Sequence, residues 1–148
     1  MLYSLIQGFE HWSELDLLTA TILGEAEGEP WGGKAGVAIT IKTRVDHPRW
    51  WGRNWREVIL RATHDGIAQF ECWTKPHRIE RMELGRERGC DDKIWEQCRQ
   101  IAIFCYLGKI QDRLGCPTHY CRIDAKPAWK EKLKFLGQIG HHLFYSEI

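Results

Sequence analysis

"ILGEAEGEPWGG", residues 22–33, places Glu25, Glu27 and Glu29 within five positions, between an apolar run and a Pro followed by a Gly pair. Upstream, Ser13 followed by Glu14 and Asp16 has the form of a helix start, with acidic side chains where the helix dipole favours them. Leu15, Leu18, Ile22 and Ala26 then recur at helical spacing, and Gly28 with Pro30 stops the run. Glu25 therefore falls in the last turn of a helix. There a carboxylate faces the negative end of the dipole and has two like charges within four residues, and both effects disfavour ionisation.

Working outward, Val37, Ala38, Ile41 and Val45 predict a second helix that ends before Pro48. Asn54 and Glu57 form a capping pair for a third helix, whose apolar face is Trp55, Val58, Ile59 and Ala62. "GIAQFECW" (66–73) is short and aromatic and reads as extended. Residues 75–91 are charged, glycine-broken and aperiodic, which reads as a surface loop, and residues 1–12 read as peripheral. Ile94, Cys98, Ile101, Ala102 and Cys105 predict a helix over 92–107, ended by Gly108. "THYCRI" and "IGHHLFYS" are candidate antiparallel strands separated by the segment from Pro127 to Leu136. The expectation is one α+β domain over 1–148, mainly helical, with a small antiparallel sheet.

The bulk numbers agree with a single domain. A chain of 148 residues buries about two thirds of the surface its unfolded form exposes. With 43% hydrophobic and 28% charged residues and a formal net charge of +1, neither a disordered chain nor a strongly basic nucleic-acid binder is favoured. Eight tryptophans are the anomaly, since indoles pack in cores but also stack on sugar rings and bases. Six cysteines would suggest disulfides in a secreted chain, yet the first fifteen residues carry Glu10, His11 and Glu14 and have no signal-peptide core. Free thiols and synthesis in a reducing cytosol are expected. No segment approaches the roughly 20 apolar residues of a membrane span, so no stable membrane insertion is expected.

The acidic cluster has a chemical use. Raising a glutamate to a pKa of about 6 lifts its protonated fraction at pH 7 from roughly 0.2% to about 9%, at about 2.3 kcal/mol of desolvation and repulsion. That is enough for one glycan-cleaving general acid. The alternative is a solvated acidic turn.

Beyond the cluster, the chain resembles the SleB-type cell-wall hydrolase family, known from spore-cortex lytic enzymes and phage lysis proteins. The resemblance rests on "GEAEGEP" (24–30), "AGVAITIKTRV" (35–45), "QFECW" (69–73), "THYC" (118–121), Trp129 and "IGHHLFY" (139–145), in the family's order. It implies a lysozyme-like domain that cuts peptidoglycan glycan strands between N-acetylmuramic acid and N-acetylglucosamine, with Glu25 as the acid. It also implies lytic transglycosylation, in which one carboxyl group protonates the leaving oxygen and then helps the muramic C6 hydroxyl close a 1,6-anhydro ring.

A hydrolytic muramidase would need a second carboxylate about 5 to 9.5 Å away. Glu29 is the candidate, although Gly28 makes a supporting or sugar-binding role the preferred one, and Glu27 is expected to point to solvent. Gln69 and Tyr120 carry polar ends for acetamido or hydroxyl groups, and Phe70, Trp73 and Trp129 offer stacking faces. Along a strand Thr118 and Tyr120 share one face and His119 takes the other, so His119 is either a core or a site residue. His142 and Tyr145 complete the expected supporting set. Two positions depart from the family pattern: Glu71 stands where Ser is frequent, and Glu27 where Arg is frequent.

Three rival functions have sequence support. Cys116, His119 and Cys121 with His141 or His142 are zinc-ligand types, without paired C-x-x-C or H-E-x-x-H spacing. Residues 44–61 interleave basic and aromatic side chains as single-strand nucleic-acid grooves do, but Asp46 and Glu57 dilute the charge. A non-catalytic glycan-binding module is the third. The resulting expectation is a monomeric enzyme with no metal or organic cofactor and no nucleic-acid partner. It would be a phage lysis enzyme made in the host cytoplasm and acting at the periplasmic wall, with a virion-borne wall-piercing component as the other delivery route.

Overall fold

A computed structural model describes residues 3–63 and 65–148. Helix α1, Glu14–Ala26, is its axis: Ser13 caps it by accepting from the Asp16 amide at 3.0 Å, and Leu17, Leu18, Ala20, Ile22 and Leu23 are all buried. Thr19 and Thr21 are buried too and return their hydroxyls to the carbonyls four residues back. A helix apolar all round belongs inside, and α1 packs against every other helix of the domain.

Those neighbours are α2, Trp31–Asp46, α3, Trp55–Leu60, α4, Pro76–Arg88, and α5, Lys93–Tyr106. Asn54 accepts from the Glu57 amide at 2.9 Å and Asp92 from the Trp95 amide at 3.0 Å, so α3 and α5 start at side-chain caps. Trp95, Cys98, Ile101, Ala102 and Cys105 face the core, whereas Ile94 is exposed.

Two small antiparallel sheets complete the α+β fold. Strand β1, Tyr3–Leu5, pairs with β2, Arg61–Thr63. Strands β3, His119–Arg122, β4, Lys134–Ile139, and β5, His142–Ser146, form a sheet in the order β3-β5-β4, with a bulge between Phe135 and Gly137. Tyr120 lies opposite Phe144 in register, and His119 opposite Tyr145. The sheet presses on α2 at Gly36, where an added Cβ would lie 2.5 Å from the Phe144 ring.

Several expectations are corrected. Residues 75–91 are not a loop: α4 runs to Arg88 and a short 3-10 turn follows at Gly89–Asp91. Its periodicity is masked because only Met82 and Gly85 are fully buried, with Ile79 partly so. Ion pairs hold the rest: Arg78 and Arg81 reach Glu27 at 2.9 Å, Arg81 reaches Asp92 at 2.7 Å, and Arg86 reaches Asp16 at 2.9 Å. Of 66–73, Ala68 bridges Ala62 as an extended residue, but Glu71–Thr74 is a 3-10 turn that tucks Cys72 and Trp73 inward. Helix α3 stops at Leu60, so Ala62 lies in a strand. Within 1–12, expected to be peripheral, Phe9 and Trp12 are core residues and Trp73 packs on both, while Tyr3, Ser4, Gln7, Gly8, Glu10 and His11 are exposed; Met1 and Leu2 lie outside the described residues. The stretch expected only to separate two strands contains the start of β4.

Trp12, Trp51, Trp73 and Trp95 are buried, Trp31 and Trp50 are exposed, and Trp55 and Trp129 are half-buried. All six cysteines are free, and Cys72, Cys98 and Cys105 are buried.

Asp92 joins α4 to α5 and tests this account. Its carboxyl is held below the usual range, first by the Arg81 hydrogen bonds. A depressed acid stabilises the fold above the unfolded pKa of about 3.9 and loses that contribution as pH falls through the folded value. Asp92→Asn keeps a cap but loses the ion pair, and is expected to cost about 1 to 3 kcal/mol at pH 7. Urea unfolding should show the gap between variant and parent closing in acid.

Candidate active site

Glu25 stands in the last turn of α1, partly buried, at a cleft of about 470 Å³ between the helices and the three-stranded sheet. Each carboxylate oxygen has a donor from a different element. Tyr120 Oη on β3 donates to Oε1 at 2.5 Å, and the Cys72 backbone N–H in the 3-10 turn donates to Oε2 at 3.1 Å. Gly24 permits the second contact, because a Cβ there would lie 2.7 Å from Cys72 Cβ.

Burial pushes the Glu25 carboxyl above its ordinary pKa, opposed by the Tyr120 and Cys72 hydrogen bonds and aided by the negative charge of Glu71. Both side-chain neighbours shift the same way: burial, then the Glu25 charge, raises the Cys72 thiol and the Tyr120 phenol well above their usual values. Glu25 is therefore surrounded by neutral donors. That setting suits an acid that keeps its proton until a substrate takes it.

The other two glutamates of the cluster go elsewhere. Glu27 does not point to solvent: burial alone would raise its carboxyl, but hydrogen bonds from Arg81 and Arg78 outweigh burial and leave it low. Glu29 is 8% exposed and lies behind His142 rather than in the cleft lining. It accepts from the His141 amide at 2.6 Å and meets His141 Nδ1 at 2.9 Å, and these contacts outweigh burial and lower its pKa. Its backbone carbonyl accepts from Lys34. Glu29 therefore ties the β4–β5 turn to the start of α2. Glu25 and Glu71 are the carboxylates that line the cleft among the described residues.

The remaining expected site residues divide into lining and scaffold. Tyr120, His119, Trp129 and His142 line the cleft. His119 meets Thr118 Oγ1 through Nδ1 at 2.9 Å and packs on the Trp129 ring at 4.9 Å between centroids. Burial, then Arg44, depresses the His119 pKa to about 4, so it is neutral at pH 7. His142 is buried with Nδ1 3.8 Å from Glu29 Oε1, and burial outweighs that carboxylate and lowers its pKa.

Phe70 and Gln69 also line the cleft, but neither is free to serve as expected. Phe70 is 2% exposed, with the Arg44 guanidinium 5.4 Å from its ring centre and Tyr120 stacked at 6.4 Å. The Gln69 amide accepts from Arg44 and donates to the Trp51 carbonyl at 2.8 Å. Trp73 is no sugar platform: it is in the core, its indole N–H donating to Thr21 Oγ1 at 3.0 Å. Thr118 is wholly buried and Tyr145 nearly so, packed against Trp129 and Phe135 outside the cleft lining.

Arg44 was missed. It lies buried in the cleft floor, donates to the Thr118 carbonyl at 2.8 Å and to Gln69, and sits over Trp50, Trp51 and Phe70. Burial lowers its pKa to about 10, so it stays charged at pH 7. The signal was available, since Val37, Ile41 and Arg44 share one helical face.

The rivals fare as follows. Among the described residues no group of three or more His, Cys, Asp and Glu side chains is placed to hold a metal ion. The basic and aromatic stretch 44–61 puts Arg44, Trp51, Val58, Ile59 and Leu60 into the interior. Among the described residues no helix is long and apolar enough to cross a membrane.

Comparison with known proteins places this geometry. Among solved structures, the catalytic domain of the germination-specific lytic transglycosylase SleB from Bacillus anthracis superposes with a TM-score of 0.63 at 20% identity, covering 93% of this chain and 98% of that one. The catalytic domain of the Bacillus cereus SleB protein gives 0.58 at 20% identity, covering 95% and 94%. The shared fold is the expected lysozyme-like α+β domain. No curated protein matches the chain significantly. The Cell Wall Hydrolase family profile matches residues 28–145, beginning just after Glu25, and the chain belongs to that family.

Proposed function

We propose that the protein is a peptidoglycan lytic transglycosylase with Glu25 as its acid and base. One observation carries the reading: of the two carboxyl groups that line the cleft, Glu25 is the one raised in pKa and held by neutral donors, while Glu29 is committed to His141. A retaining or inverting hydrolase needs a second carboxylate across the sugar, and Glu29 does not face that space.

In the proposed cycle the Glu25 carboxyl gives its proton to the glycosidic oxygen between N-acetylmuramic acid and N-acetylglucosamine, and the C1–O bond breaks. The carboxylate so formed takes the proton of the muramic C6 hydroxyl as that oxygen bonds C1. The products are a free 4-hydroxyl end and a 1,6-anhydro end, and no water is consumed. Tyr120 and Cys72 hold the carboxylate between the two proton transfers. Hydrolysis remains the second reading, and Glu71, on the cleft rim, is the side chain that favours it.

Mass spectrometry of fragments released from purified sacculi tests the chemistry: anhydro ends, lighter by one water, are expected, and reducing ends alone would establish hydrolysis instead. Glu25→Gln is expected to lower the rate by at least about 10²-fold. Because the protonated acid is the active form, activity should fall as pH rises through the raised Glu25 pKa. Tyr120→Phe removes a bond that lowers that pKa, so the alkaline limb should move to higher pH while kcat/KM drops roughly tenfold; an unmoved limb would refute the role given to Tyr120. A lysis role is the natural use of this chemistry. Directing the protein to the periplasm of a bacterial host should lyse the cells, and the Glu25→Gln form should not.

A further inference from the structure

The cleft at Glu25 adjoins a second cavity of the same size, about 470 Å³, and the two share Arg44, Gln69, His119 and Trp129 as lining. Both lie within the roughly 300 to 1,000 Å³ of a small-molecule site. The outer walls of the second cavity include two rings that the core does not need: Trp50, 46% exposed, and Tyr3, 41% exposed.

Both rings are nevertheless held. The Trp50 indole N–H donates to Glu147 Oε1 at 3.2 Å, and its carbonyl accepts from Arg61 Nη1 at 2.7 Å. Trp50 also rests on the buried Trp51 ring at 5.4 Å. The same Arg61 guanidinium lies 5.1 Å from the Tyr3 ring centre and is itself anchored on Glu57 at 3.1 Å. One arginine thus fixes both aromatic walls. Exposed flat rings held in place, Trp50 by hydrogen bonds and Tyr3 by the Arg61 guanidinium, are stacking faces of the kind that pack on pyranose rings. Tyr3 comes from β1, outside the residues the family profile matches, so this chain builds part of the wall from a segment that the profile does not describe.

We propose that this second cavity is a saccharide-binding extension of the cleft, in which Trp50 and Tyr3 hold aminosugar units of the glycan strand beyond those at Glu25. It rests on the proposed glycan substrate. The consequence is a preference for long strands over short fragments. Trp31, exposed to a similar degree but opening on a separate groove between α2, α5 and β4, is the internal control.

The test uses full-length protein carrying Glu25→Gln and titrates linear N-acetylglucosamine oligomers of two and six units by calorimetry. Trp50→Ala is expected to weaken hexamer binding roughly tenfold and to leave dimer binding within about twofold, with Tyr3→Ala milder and Trp31→Ala without effect. Trp50→Phe should restore most of the loss. In the active protein, Trp50→Ala should raise KM for long peptide-free strands while kcat holds. Hexamer binding that ignores Trp50, equal losses on both oligomers, or no hexamer binding by the parent would each overturn the extension. If Glu25→Gln still cleaves strands while Trp50 governs binding, the catalytic reading falls and the extension stands. If Glu25 is essential and Trp50 immaterial, the reverse holds.

Discussion

The two oxygens of one carboxylate fix how three parts of this domain meet. Glu25 projects from the end of a helix whose middle turns are buried, and its carboxylate is partly withdrawn from water, where a polar group without donors is costly. The 3-10 turn at Glu71–Thr74 supplies one donor and the sheet supplies the other through Tyr120. Either element, displaced by an ångström, would leave an oxygen unsatisfied. The cleft is the space left between elements held in place this way.

The crowding of like charges in residues 22–33 is resolved by giving each carboxylate a different kind of neighbour. Glu27 faces two guanidinium groups and Glu29 a histidine and a backbone amide, and both are left more acidic than usual. Glu25 meets only hydrogen-bond donors without charge and is left less acidic. Environments that push like groups apart in pKa are a mark of acid–base sites. The arrangement also has a structural return, since Glu27 secures α4 and Glu29 secures the β4–β5 turn.

Elements whose signals are local were legible in the sequence. Ser13 and Asn54 each precede an amphipathic or apolar run, and each caps the helix it announces. The β3–β5 pair was legible from its aromatic and β-branched content. What escaped was held by distant partners. Helix α4 depends on Glu27, Asp92 and Asp16, which lie outside it, and a period count sees only its charges. Strand β1 is three residues long and gains its meaning from β2. In the site, the position of Glu25 could be anticipated from helix phase, whereas strand alternation misled: His119 and Tyr120 both line the cleft, and Thr118, expected to share a face with Tyr120, is buried. Trp73 could not be told from a sugar platform until Phe9 and Trp12 were seen packed against it, and Arg44 stood at the head of a basic and aromatic stretch that resembles a nucleic-acid groove.

The burial of the middle turns of α1 bears on the order of local opening. Amides in buried core turns of this kind belong to the part of a domain that opens last, whereas short paired strands such as β1 and β2 belong to the part that opens first. Glu25 is thus carried by the central helix, and its two donors come from short elements, the 3-10 turn at Glu71–Thr74 and strand β3. The position of the carboxylate is therefore set by the core, and the shape of the space in front of it by elements that lean on that core.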